Sequence, residues 1–179
     1  MDVVIFCGGL GSRLGEETIL KPKPMVKIGN KPILWHIMKY YSSYGYNRFI
    51  LPLGYKAQMI INYFKSEESN FFNTEEYNKW EVVLEDTGLN TLKGGRLKRI
   101  QKHIKTEVFH LTYGDGVCNV SIDKLVKFYK KNNRIGVLTA VHPPSRFGEI
   151  KISDDQVICF NEKSQMWEGY INGGYFIFN

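Results

Sequence analysis

Residues 2–25 read DVVIFCGGLGSRLGEETILKPKPM, and the fold is decided by how the first part hands over to the second. After Asp2 the run to Cys7 is wholly apolar, and it stops at Gly8-Gly9. A short apolar run bounded by glycine reads as a strand buried on both faces of a parallel sheet and opening into a loop. Residues 8–25 then carry four glycines, one arginine and two lysines. Gly8, Gly9 and Gly11 let main-chain N–H groups close around an anion. Arg13 offers a fork to phosphate oxygens, and lysine offers a compact charge. Pro22 and Pro24 flank Lys23 and fix the chain direction there. A nucleoside triphosphate is the ligand that uses all of these groups together. Two other phosphate loops are excluded. A dinucleotide fingerprint needs a helix directly after its glycines, and a Walker loop needs Gly-Lys-Ser/Thr. Here the prolines of KPKP forbid an immediate long helix, and no Gly-Lys-Ser/Thr follows.

Working outward, residues 31–46 (KPILWHIMKYYSSYGY) carry Ile33, Ile37, Tyr41 and Tyr44 at helical spacing, with Pro32 in the first turn and Gly45 as the stop. Strands are expected at 48–53, 80–86, 107–113, 135–141 and 170–179. Pro52 weakens the far end of the first of these. Helices are expected at 57–65, 95–104 and 121–133, the last with Ser121 as N-cap and Asp123 at the positive end of its dipole. Residues 66–79 read as a loop, and 149–153 with 156–162 as a hairpin turning at Asp154-Asp155. Strands alternating with helices predict a parallel sheet with helices on both faces and right-handed crossovers. Ligands bind such sheets at the carboxyl ends of the strands. CGGLGSR (7–13) and TYGDG (112–116) both sit there, so they are expected to meet. A single domain spanning 1–179 is expected. Ending on a strand, it reads as lacking its C-terminal part.

The chain has 179 residues, of which 43% are hydrophobic, enough for a packed core. Cys7, Cys118 and Cys159 form no CxxC pair, so neither a disulfide framework nor a structural zinc is expected. Cys7 and Cys159, in apolar runs, are expected in the core. With no leader-like segment and no run long enough to span a bilayer, a cytoplasmic, membrane-free protein is expected. The net charge of +6 has a bland reading as solvated basic faces and a sharper one as attraction for an anionic ligand. No nucleic-acid-binding motif accompanies it.

Asp115, between Gly114 and Gly116, is placed to hold Mg²⁺ beside a triphosphate. Thr87, Thr91 and Arg96 in DTGLNTLKGGRLKR are candidates for base or phosphate. Glu162, Lys163 and Asn172 are candidates for sugar hydroxyls and sugar phosphate. His36 and His110 lie in a helix and an apolar strand, and neither signals acid–base chemistry.

GGLGSRLGEETILKPKPMVKIGNKPILWHIMKYY, LEDTGLNTLKGGRLKRI, TYGDGV, RFGEI and INGGYF, in that order, resemble the sugar-nucleotide nucleotidyltransferases. EET, KPKPM and DTG…GGRLKR resemble the branch of glucose-1-phosphate cytidylyltransferases in particular. The resemblance covers nearly the whole chain. It implies a Rossmann-like α/β fold of the nucleotide-diphospho-sugar transferase type, with a mixed, mainly parallel sheet. It also implies a Mg²⁺-dependent reaction of CTP with glucose 1-phosphate, giving CDP-glucose and pyrophosphate for dideoxysugar and surface polysaccharide synthesis, in a homo-oligomer. Carried over to this chain, Phe6, Cys7, Gly8, Gly9, Leu10, Gly11, Ser12 and Arg13 line the nucleotide and its phosphates. Lys23 meets the phosphates, Thr91 and Arg96 help bind CTP, and Asp115 carries the metal. Glu162, Lys163, Asn172 and Gly173 match sugar-phosphate positions. Catalytic roles fall to Arg13, Lys23 and Asp115. Cys7 and Gly15 depart from the usual family residues, and Lys93 stands where the family has a smaller hydroxyl residue. The family's second metal-binding aspartate lies beyond the residues present here. The competing readings are a sibling enzyme using another nucleotide and a truncated, non-catalytic nucleotide-binding subunit.

Overall fold

The computed structural model describes residues 1–10, 20–65, 80–132, 134–143, 149–161 and 169–179. The expected loop at 66–79 and site candidates Gly11, Ser12, Arg13, Glu162 and Lys163 lie outside the described residues. The chain divides into two compact units, one of residues 1–137 with 175–179 and one of residues 138–174.

The first strand, β1 (Asp2–Phe6), is flanked on one side by β4 (Arg48–Leu53) and beyond it β5 (Glu81–Asp86). On its other side lie β6 (Phe109–Tyr113), β10 (Ile171–Phe178) and β7 (Gly136–Val141), giving the order β5-β4-β1-β6-β10-β7. The pairs β1–β4, β4–β5 and β1–β6 are parallel, and β10 runs antiparallel to β6. The sheet is therefore mixed and mainly parallel. The chain builds outward from β1 to β5 and then crosses back to β6 on the other side of β1. That reversal makes a crevice at the carboxyl ends of β1 and β6.

Period-2 alternation in β1 sends Val3 and Ile5 to one face and Val4 to the other, and all three are fully buried. The first face is covered by α1 (Ile33–Ser43), α2 (Ala57–Lys65) and α4 (Ile122–Asn132), whose Leu34, Ile37, Tyr41, Ile60 and Ile122 join Phe49 and Leu51 in one core. The second face packs Ile50, Phe109, Leu111 and Phe176 against Ile100 of α3 (Lys93–Ile100). Burying each such Leu, Ile or Phe side chain contributes about 1.5–3 kcal/mol. Helices on both faces follow from strands that are apolar on both faces.

Local differences from the sequence reading have simple causes. Pro32 precedes α1 as its cap residue, with φ −66° and ψ 154°, and does not lie within the first turn. It belongs to a small ladder the periodicity did not reveal, β2 (Lys27–Ile28) against β3 (Lys31–Pro32), which is too short to show a pattern. α3 starts two residues before the expected position and gives way at Gln101–His103 to a 3-10 turn. Strand β4 runs through Pro52, whose carbonyl accepts the N–H of Cys7 at 3.1 Å. The hydroxyl of Ser121 accepts the N–H of Lys124 at 3.3 Å, as expected of an N-cap.

At the amino ends of the strands Asp2 is almost fully buried, and its carboxylate meets Arg48 Nη1 at 2.8 Å and the Lys105 N–H at 2.6 Å. Arg48 Nε also reaches Glu81 at 2.9 Å, so β1, β4 and β5 are tied together there. In the second unit β8 (Glu149–Ser153) pairs antiparallel with β9 (Gln156–Asn161). Asp154 and Asp155 make the turn with φ of 49° and 63°. Cys159 is only half-buried there, unlike the core position expected, and its neighbours Ile158 and Phe160 are exposed. Among the described residues no helix is long and apolar enough to cross a membrane.

Candidate functional site

The carboxyl end of β1 delivers Cys7, Gly8, Gly9 and Leu10 to the crevice, and the carboxyl end of β6 delivers Gly114 and Asp115 beside them. The Gly114 N–H donates to the Phe6 carbonyl at 3.0 Å, extending the parallel ladder one step past Tyr113. A Cβ on Gly114 would lie 2.9 Å from both the Phe6 carbonyl oxygen and Pro24 Cγ, and 3.0 Å from Cys7 Sγ. Only glycine lets the two strand ends and the proline segment approach this closely.

Pro22 and Pro24 are buried and flank Lys23, the first residue of a 3-10 turn (Lys23–Met25). Its ammonium stands 3.6 Å from the Asp115 carboxylate, whose side chain is 41% exposed. The sequence reading brought these two charges together through the fold, and they are neighbours. Cys7 is buried, and burial pushes its thiol far above the ordinary range, with the Asp115 charge adding to the effect. Cys7 is therefore a packing residue and not a nucleophile.

These groups border a cleft of about 660 Å³, large enough for a nucleotide. Phe6, Cys7, Gly8, Gly9, Leu10, Lys23, Thr91, Arg96 and Asp115, all named from the sequence, line it. Pro24, Leu89, Asn90, Leu92, Lys93 and Tyr113 line it too, and the sequence reading did not place them in the site. Tyr113 was findable, because it ends a predicted strand directly before Gly114-Asp115; in the structure it stands opposite Phe6, and the two rings lie 6.4 Å apart. Lys93 left no such signal: it is a cation at the first residue of a helix, where the dipole disfavours it, but the sequence does not reveal that the helix starts there.

Arg96 is 4% exposed, and its placement shows more than the sequence could. Nη1 donates to the Leu53 carbonyl at 2.6 Å and to Thr87 Oγ1 at 2.7 Å. Nη2 donates to the Gly8 carbonyl at 2.8 Å and to the Leu89 carbonyl at 3.0 Å. One guanidinium thus holds the ends of β1, β4 and β5 and the loop before α3. A side chain on Gly8 would collide with it. Burial lowers the pKa of Arg96, and its charge stays directly against Gly8. Thr91 donates to the Thr87 carbonyl at 2.5 Å and accepts from Arg99 at 2.7 Å, so it also braces this loop.

Asn172 and Gly173 belong to the second unit, in the first half of β10, where Asn172 Oδ1 accepts the Gly174 N–H at 2.7 Å. His110 is fully buried against Tyr41 and Tyr46, and burial pulls its imidazole down to about 4, so it is a neutral core residue. His36 Nε2 lies 3.1 Å from the Ile28 carbonyl. Neither histidine lines the cleft.

Among the described residues no three His, Cys, Asp or Glu side chains cluster as a metal cage. A hard, small cation such as Mg²⁺ needs none, since one or two carboxylates plus substrate phosphates and water satisfy it. Asp115, half-exposed at the mouth of the cleft, fits that donor set.

The family profile described as nucleotidyl transferase matches residues 2–179. Glucose-1-phosphate cytidylyltransferase of Salmonella typhi is 45% identical over 197 aligned positions, which cover 100% of this chain and 75% of the relative. The probable glucose-1-phosphate cytidylyltransferase of Bacillus subtilis (strain 168) is 38% identical over 189 positions, covering 99% of this chain and 74% of the relative. Among solved structures, that of HddC from Yersinia pseudotuberculosis complexed with GMP-PN is similar, with a TM-score of 0.68 and 32% identity. It covers 99% of this chain and 76% of that one.

Proposed function

The chain belongs to the nucleotidyl transferase family, and from that premise we propose that it transfers a cytidylyl group from CTP to α-D-glucose 1-phosphate, giving CDP-glucose and pyrophosphate. The observation that carries the reading is the meeting of Gly8-Gly9, Lys23 and Asp115 in one cleft at the strand-order reversal. The 45% identity to a glucose-1-phosphate cytidylyltransferase supports the choice of nucleotide and sugar.

In the reaction a phosphate oxygen of the sugar 1-phosphate bonds to the α-phosphorus of CTP. The bond from that phosphorus to the bridging oxygen breaks, and pyrophosphate leaves with the electron pair. The nucleophile is already an anion, so no side chain has to remove a proton. What remains for the protein is alignment and charge neutralisation. The main-chain amides after β1 would cradle phosphate oxygens, and Arg96, anchoring the Gly8 carbonyl, keeps that cradle in place. Lys23, fixed by its prolines, would neutralise charge on the polyphosphate. Arg13, five residues after Gly8 in the sequence, would share that task. Mg²⁺, held by Asp115 and the phosphates, would supply further neutralisation of the leaving group. Glu162, Lys163, Asn172 and Gly173 are assigned to the sugar phosphate, and the product would feed dideoxysugar synthesis.

A panel of CTP, UTP, dTTP and GTP with glucose 1-phosphate, scored by pyrophosphate release, tests the reading. CTP is expected to lead by at least tenfold in kcat/KM. A lead by GTP, the nucleotide class suggested by the GMP-PN complex of HddC, would replace it with the sibling reading. Nucleotide binding with no turnover on any sugar phosphate would make the chain a binding subunit.

A further inference from the structure

We propose that Lys93 is a nucleotide-binding residue of this chain, contacting the polyphosphate of the substrate and the pyrophosphate product. The inference rests on the reading of the cleft as a nucleoside triphosphate site. Three observations carry it. Lys93 lines the cleft, and its ammonium lies 4.6 Å from the centroid of the Tyr113 ring, at the strand end that leads to Asp115. No carboxylate of the described residues pairs with it, whereas the other cleft lysine, Lys23, already faces Asp115. It is also the first residue of α3, whose first turn holds no acidic residue, so the helix dipole opposes a cation there. A charge set against local preference, at the wall of a binding cleft, marks a site selected for a ligand and not for stability.

The chemistry narrows the ligand. An ammonium has three donors and no acceptor, so it complements phosphate oxygens and not a mixed donor–acceptor edge. The Tyr113 face holds it by attraction between cation and ring, which is weak at an exposed position and easily exchanged for an anion. The free cleft thus holds the exposed ammonium on its wall, where an arriving polyphosphate can draw it from the ring.

The test is Lys93→Met, which keeps the stem and removes the charge, alongside Lys93→Arg, which keeps it. Initial rates across nucleotide, sugar phosphate and salt concentration are compared with direct titration of pyrophosphate into each protein. Lys93→Met is expected to raise KM for the nucleotide and Kd for pyrophosphate about tenfold, the size of one charge-assisted hydrogen bond. Its kcat and its KM for the sugar phosphate should stay within twofold, its binding should weaken less with added salt, and Lys93→Arg should restore most of the affinity. Unchanged KM and Kd in Lys93→Met, with the wild type active, would overturn the role of Lys93 and leave the cleft assignment standing. Wild-type protein that binds neither nucleotide nor pyrophosphate would overturn both.

Discussion

Single atoms decide what this cleft can do. The Lys23 ammonium and the Asp115 carboxylate neutralise one another at 3.6 Å while the cleft is free, and polyphosphate with its cation would part them. Lys23→Ala removes a positioned charge from the reacting phosphates, so kcat/KM in the sugar-phosphate assay should fall by about two to three orders of magnitude, as for loss of one preorganised donor. A fall of less than threefold would remove Lys23 from the chemistry. Both residues were legible in the sequence because glycine and proline punctuation is local. Arg96 was legible as a candidate for base or phosphate, but not as a brace of the strand ends. Its four acceptors, Leu53, Thr87, Gly8 and Leu89, come from up to 88 positions away, and no periodicity records such a meeting.

At the scale of elements, the site is a problem of bringing two strand ends together. β1 and β6 stay in register to their last residues, Phe6 opposite Tyr113, and Gly114 continues the contact. Gly114→Ala would press a methyl group against the Phe6 carbonyl and Pro24. Overpacking of this kind costs about 1–3 kcal/mol, so the urea midpoint should drop, and activity should drop with it because Asp115 is displaced. An unchanged midpoint would mean that the strand ends tolerate separation. The alternation of strands and helices was plain in the sequence, since each strand is a short apolar run and each helix carries an apolar stripe. The β2–β3 ladder and the start of α3 at Lys93 were not, because two-residue strands and helix ends are set by tertiary hydrogen bonds.

For the molecule as a whole, the buried histidine ties stability to acidity. His110 titrates at about 4 in the fold against 6.5 in a free chain, because burial disfavours the charged ring. The folded form therefore binds the proton less readily than the unfolded form. The stability this represents is fully present above pH 6.5, is lost as the pH falls toward 4, and does not change further below that. The whole effect is about 3 kcal/mol, at 1.36 kcal/mol per pKa unit. Urea titrations at pH 7, 5.5 and 4.5 should show this decline in the wild type and a flatter one in His110→Gln. Parallel curves would show that other groups govern acid unfolding.

The hydroxyl of Tyr175 donates to the Gly116 carbonyl at 3.0 Å, fastening the turn that carries Asp115 to a strand that lies 59 positions later in the chain. During synthesis the glycine loop, the proline-framed lysine and the carboxylate all leave the ribosome well before that tyrosine does. A nascent chain can thus assemble most of the cleft early, yet the turn that carries Asp115 stays unfastened until translation has passed residue 175.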